Sequence, residues 1–149
     1  IGLRTVFDAC PRSVGEALHT QTFLGHPTSC AAALASLDVS ARWGLAERAG
    51  TLGGRALDAL RTRLRDVPAV RAVRGRGLMI GVECVRPETA LAATARMLEE
   101  GYVVLPSGDG GRVVSLTPPL VIGEAALEAA CETLARCLEE QAGTERAGT

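Results

Sequence analysis

Gln21, Thr22, Gly25, His26 and Pro27 stand within seven positions of one another, directly ahead of an alanine-rich run from Ala31 to Ala35. A hydroxyl, an amide and a glycine that lets backbone approach closely, placed before a helix start, form a donor set suited to a phosphate oxygen. The first turn of a helix presents free N–H groups and favours negative charge. On residue chemistry alone, an ordinary loop leading into a helix accounts for the same segment. The second chemical fact is an absence: the chain has no lysine, and all 16 side-chain cations are arginines. No side chain can therefore form an imine with a carbonyl.

Other reactive types are present without a recognisable constellation. His19 has no nucleophile or acid at a useful spacing and reads as a loop residue. The five cysteines, Cys10, Cys30, Cys84, Cys131 and Cys137, include no CxxC pair, and two histidines seven residues apart complete no zinc site. They read as reduced, mostly buried thiols of a cytoplasmic protein. Gly108, Gly110 and Gly111 lack a following GKS or GKT and read as a hairpin turn. Arg71, Arg74 and Arg76 lack interleaved aromatics and read as a solvated strand edge, not a nucleic-acid site.

The elements that position these residues follow from periodicity. Leu3 to Phe7 reads as a short strand. Pro27 suits a first helical position, so a helix is predicted over 27–42 with His26 at its N-cap. A second helix follows Gly44, with Leu45, Ala49, Leu52, Ala56, Leu60 and Leu64 on one face. Gly50, Gly53 and Gly54 within it suggest close packing on a neighbour, and Trp43 reads as a core anchor between helices. After Pro68 come strand-like runs at 70–74 and 78–85, separated by Gly75 and Gly77, which reads as a turn between two strands or as two arms of one bent strand. A helix over 87–101 is expected to bury Leu91, Ala95 and Leu98. A strand over 102–105, a turn over 107–111 and a strand over 113–116 follow, and Pro118 and Pro119 end that strand. A last helix over 124–141 carries Leu127, Cys131, Leu134 and Leu138 on one stripe, and the tail 142–149 is expected to fray.

With 149 residues, 47% of them hydrophobic, the chain can bury one ordinary core. A formal net charge of −1 gives no electrostatic footprint for nucleic acid or anionic lipid. The apolar runs fall short of the ~20 residues that a membrane span needs. No apolar signal core stands at the N-terminus, and the lack of an initiator methionine suggests a start inside a longer protein.

The segment EALHTQTFLGHPTSCAAA, from Glu16 to Ala33, closely resembles the phosphate-contacting segment of the class III aminotransferases, the ornithine, acetylornithine and 4-aminobutyrate type. RGRGLMIGVE (Arg74 to Glu83), EEGYVVLPSG (Glu99 to Gly108) and LTPPLVI (Leu116 to Ile122) extend the likeness in order. The resemblance implies an α/β chain of the pyridoxal-phosphate-dependent fold type I. Residues 1–66 would form the end of the large cofactor-binding domain and a connecting helix, and 67–141 the α+β C-terminal small domain. It implies pyridoxal 5′-phosphate as cofactor of a full-length homodimer, and transfer of an amino group from an amino acid or ω-amino compound to a 2-oxo acid. Thr22 matches the threonine that reaches the phosphate held by the other subunit, and Gln21 the residue beside the substrate. His26 replaces the usual asparagine. Ser115 stands where many members place the arginine that grips the substrate carboxylate; a hydroxyl cannot form that bidentate pair. Arg112, three residues earlier on a strand, would face the other way. Unless another arginine substitutes, donors with a neutral or cationic distal group are expected. The Schiff-base lysine itself has no match in the chain, so no catalytic residue is assigned and the chain alone is expected to be inactive. A racemase or epimerase of the same fold and a non-catalytic dimerisation module remain the alternatives.

Overall fold

The computed structural model describes residue 23 and residues 25–147, with no account of the side chains of 144–147. The chain divides into two compact units, Ile1–Asp38 and Val39–Thr149. The strand expected at Leu3 to Phe7 lies outside the described residues.

Helix α1 (Pro27–Arg42) begins where Pro27 presets helical backbone. The carbonyl of His26 accepts from the amide of Cys30 at 3.0 Å, so His26 is the N-cap as the sequence predicts. No residue of α1 is buried, and Leu34 and Leu37 are exposed.

In the second unit, α2 (Leu45–Leu64) follows Gly44, whose φ of 57° breaks the helical run. Strands β1 (Val70–Arg76) and β2 (Met79–Cys84) form a hairpin through Gly77, which turns with φ 56°. Helix α3 (Pro87–Glu99), β3 (Leu105–Ser107), a short 3-10 turn (Asp109–Gly111), β4 (Val113–Leu116) and α4 (Glu124–Ala147) complete the chain order. The strands form one antiparallel sheet, β1-β2-β4-β3. Ile80, Val82, Cys84, Val114 and Leu116 join the apolar stripes of α2, α3 and α4 in one core. The alternate residues, Gly81, Glu83, Val113 and Ser115, lie on the other face of the sheet.

Several helical expectations hold. Leu45, Ala49, Leu52, Leu60 and Leu64 of α2 are buried, as are Leu127, Cys131, Leu134 and Leu138 of α4. Of the three glycines of α2, Gly53 alone packs closely: a Cβ there would stand 1.9 Å from the Gly77 carbonyl oxygen, whereas one at Gly50 or Gly54 would meet nothing within 4 Å.

Four expectations need correction. Trp43 is exposed, not a core anchor. Helix α3 buries Thr89, Ala90, Ala93 and Met97 while Leu91 and Leu98 are both 62% exposed; small residues on the inner stripe let the helix lie close to the sheet. The strand expected over 102–105 begins only at Leu105. The amides of Gly101 and Tyr102 close the end of α3 on the carbonyls of Leu98 and Met97, so Tyr102 has no amide left for a ladder. Finally, α4 runs past Gln141 to Ala147.

One tertiary contact was not legible in the sequence. The guanidinium of Arg48 on α2 donates to the carbonyls of Leu120 and Ile122, at 2.6 and 2.5 Å. Its fork satisfies two carbonyls, on either side of Val121, beyond the proline pair and so fixes the path of the chain leaving β4.

Candidate functional site

Gln21 and Thr22 lie outside the described residues. What is described of that segment is its exit: Gly25 has φ 75°, the amide of His26 donates to the carbonyl of Phe23 at 3.1 Å, and His26 Nδ1 lies 3.3 Å from Ser29 Oγ. The tight turn at Gly25 requires a positive φ that other residues rarely adopt. It delivers the chain to the start of α1, where the first amides have no intrahelical acceptor. Toward pyridoxal phosphate the residues present supply hydroxyl and amide donors and no side-chain amine. They fit the phosphate end of such a cofactor and not its aldehyde end.

Ser115 lies in β4, opposite Gly81 of β2 and Leu105 of β3. Its hydroxyl is 2.5 Å from that of Ser107, across the β3–β4 ladder. Both side chains are half-buried. On the β2 side, Gly81 presents no side chain, and a Cβ there would come 3.0 Å from Val113 Cγ1. Val113 therefore packs over Gly81, and no side chain of β2 stands directly opposite Ser115.

Two cations near this face, Arg71 and Arg74, are occupied. Glu83, in the next row of β2, is ion-paired with Arg74 and lies 3.5 Å from Arg71. The Arg74 guanidinium holds the Glu83 carboxyl below its ordinary range, against the opposing effect of burial. Arg76 stands at the hairpin end, opposite Met79. Arg112 lies just outside β4, so strand alternation does not set its direction; its Nε is buried without a hydrogen-bond partner, and its carbonyl accepts from the Cys84 amide at 2.8 Å. The solvated edge read from Arg71 and Arg74 is thus more specific than the sequence showed: both arginines serve one carboxylate.

Among the described residues the remaining chemistry-bearing groups form no centre. Cys84, Cys131 and Cys137 are buried free thiols and Cys30 is exposed. Burial pushes Cys84 and Cys131 up to about 11, which removes them as thiolate nucleophiles near neutral pH. A groove of about 240 Å³ between α2 and α4 is lined by apolar residues such as Leu52, Ala56, Leu60 and Leu127, with Cys131 in its wall. Among the described residues no group of histidine, cysteine or acidic side chains is arranged to hold a metal.

Comparison with known proteins supplies what this geometry alone does not. The sequence profile of the family Aminotransferase class-III matches residues 4–138. The acetylornithine aminotransferase of Methanothermobacter thermautotrophicus is 38% identical over 122 residues, which is 82% of this chain and 30% of that protein. Acetylornithine aminotransferase 1 of Bordetella bronchiseptica is 42% identical over 104 residues, 70% of this chain and 25% of the relative. The solved ornithine aminotransferase of Toxoplasma gondii superposes with a TM-score of 0.74 at 32% identity, covering 87% of this chain and 30% of that one. This chain therefore spans about a third or less of the length of the proteins it matches.

Proposed function

This chain belongs to the class-III aminotransferase family, and on that premise we propose that it is the C-terminal portion of a pyridoxal-phosphate-dependent transaminase that acts as a homodimer in the cytoplasm. The reaction moves an amino group from an amino acid or ω-amino compound to a 2-oxo acid. The observation that carries this reading is the family match over residues 4–138, which includes both the threonine-bearing segment and the strand that holds Ser115. The small sheet and its three helices agree with solved ornithine and acetylornithine aminotransferases. Free cysteines agree with a reducing compartment, and no helix among the described residues is long and apolar enough to cross a membrane.

Bound pyridoxal phosphate supplies the carbonyl that takes up the amino group and the electron sink for the bond broken at the donor carbon. This chain's part is binding and orientation. Thr22 would donate its hydroxyl to the phosphate of the cofactor held by the other subunit, and the N-terminus of α1 would add positive potential there. Gln21 would stand beside the substrate, as its family counterpart does. Ser115 meets the distal part of the amino donor with a neutral hydroxyl, and the arginines on its face are drawn to Glu83. Donors with a neutral or cationic distal group are therefore preferred over ω-amino carboxylates.

The experiment is a donor panel on the complete enzyme with a 2-oxo acid acceptor, wild type against Ser115→Arg. The substitution should raise kcat/KM for carboxylate donors tenfold or more, since a charge-assisted hydrogen bond contributes roughly 1.5 to 3 kcal/mol. Absence of amino transfer with every donor overturns the reaction. A wild-type preference for carboxylates, unchanged by the arginine, overturns the role of Ser115.

A further inference from the structure

We infer that Ser107 is a positioning residue for donor recognition: its hydroxyl donates to Ser115 Oγ, which leaves the Ser115 O–H free to donate to an uncharged acceptor oxygen on the amino donor. The inference rests on the proposed placement of Ser115 beside the substrate.

The register carries the argument. Ser107 pairs with Val113 and Leu105 with Ser115, so the two serines are diagonal neighbours on one face of the β3–β4 ladder. Their oxygens lie 2.5 Å apart. Each hydroxyl has one hydrogen to donate and two lone pairs, so the pair uses one O–H internally and keeps one for a ligand. Donation from Ser107 polarises the Ser115 hydroxyl and strengthens it as a donor.

The backbone holds the pair in place. Gly108, directly after Ser107, has φ 72°, and a Cβ there would stand 2.7 Å from Val113 Cγ2. Only glycine allows β3 to end this close to β4. On the β2 side Ser115 faces Gly81, which carries no side chain, and Leu105 on the other side is 63% exposed. Arg74, in the Gly81 row, is drawn toward Glu83. An O–H donor whose neighbouring Arg74 is drawn away to Glu83 selects a hydroxyl or an amide carbonyl on the donor.

The test uses the complete enzyme and two ω-amino donors, one ending in a hydroxyl and the other in a methyl group of equal size. Wild type, Ser107→Ala, Ser107→Thr, Ser115→Ala and the double alanine variant are compared by kcat/KM, and by donor Kd from calorimetry, which needs no turnover. Ser107→Ala should lower the hydroxyl-to-methyl preference about two- to tenfold, the range of a neutral hydrogen bond. Ser107→Thr should keep the preference, and the double variant should match Ser115→Ala because the two residues act as one unit. If Ser107→Ala weakens both donors equally, its role is structural and the inference fails. If Ser115→Ala shifts the preference and Ser107→Ala does not, the inference fails while the placement of Ser115 stands. If neither variant shifts it, that placement fails too.

Discussion

Substituting Gly53 by alanine tests how α2 is seated against the hairpin that brings Gly81 beside Ser115. In an exposed helix, glycine to alanine stabilises by about 1 kcal/mol, because glycine loses more backbone freedom on folding. At Gly53 the new Cβ would lie 1.9 Å from the Gly77 carbonyl oxygen, 2.2 Å from its carbon and 2.9 Å from its Cα. All three are backbone atoms of a tight turn and cannot swing away. Helix and hairpin would have to separate by roughly 1.5 Å, and overpacking of this kind costs typically about 1 to 3 kcal/mol. The lost burial adds to this, since Ala49, Leu52 and Leu57 pack in the same core as Leu78 and Ile80. The clash outweighs the propensity gain, and Gly53→Ala should be destabilising by about 1 to 2 kcal/mol net. Gly50→Ala and Gly54→Ala, where a Cβ meets nothing within 4 Å, should instead be neutral or stabilising by up to about 1 kcal/mol. Urea unfolding followed by circular dichroism gives the three midpoints under one condition. A Gly53→Ala midpoint at or above that of the other two variants would refute the close approach of α2 to Gly77.

Three further outcomes follow from the chemistry of the chain. This chain alone, incubated with pyridoxal phosphate and then borohydride, should carry no label at any internal residue, because it has no lysine; peptide mapping that finds an internal site would sink the argument. In the complete enzyme, Thr22→Ala should weaken cofactor retention by about 1.5 to 3 kcal/mol, and Thr22→Ser by much less; equal affinity in wild type and the alanine variant removes Thr22 from the site. Glu83 has its carboxyl lowered in the fold, so its contribution is present above the ordinary value of 4.5 and disappears as pH falls from there through the depressed value. Glu83→Gln should flatten that part of the acid limb of a stability profile, and an unchanged limb would show that the Arg74 pair contributes nothing.

Local pattern determined much of this protein. The three- and four-residue steps of leucine and alanine fixed α2 and α4 and their buried stripes, because a helix has one period and one apolar face to hide. Pro27 set the start of α1, since it restricts the backbone to a conformation that its neighbours must accept, whereas Gly75 and Gly77 suited a hairpin and a bent strand equally until β1 paired with β2. The ordered motifs from Arg74 to Ile122 carried the family. Contacts between elements were decided by the tertiary structure, because they depend on which surfaces come close and in what register. Leu91 and Leu98 looked buried by type, but Ala90 and Ala93 let α3 approach the sheet more closely. Tyr102 looked like the start of a strand, but its amide was taken by the cap of α3. Arg71 and Arg74 looked like a free edge until the pairing of β1 with β2 brought Glu83 to them. Ser107 and Ser115 are eight residues apart with a glycine turn between them, and no periodicity relates them; the antiparallel register of β3 and β4, held by Gly108, makes them one hydrogen-bonded pair.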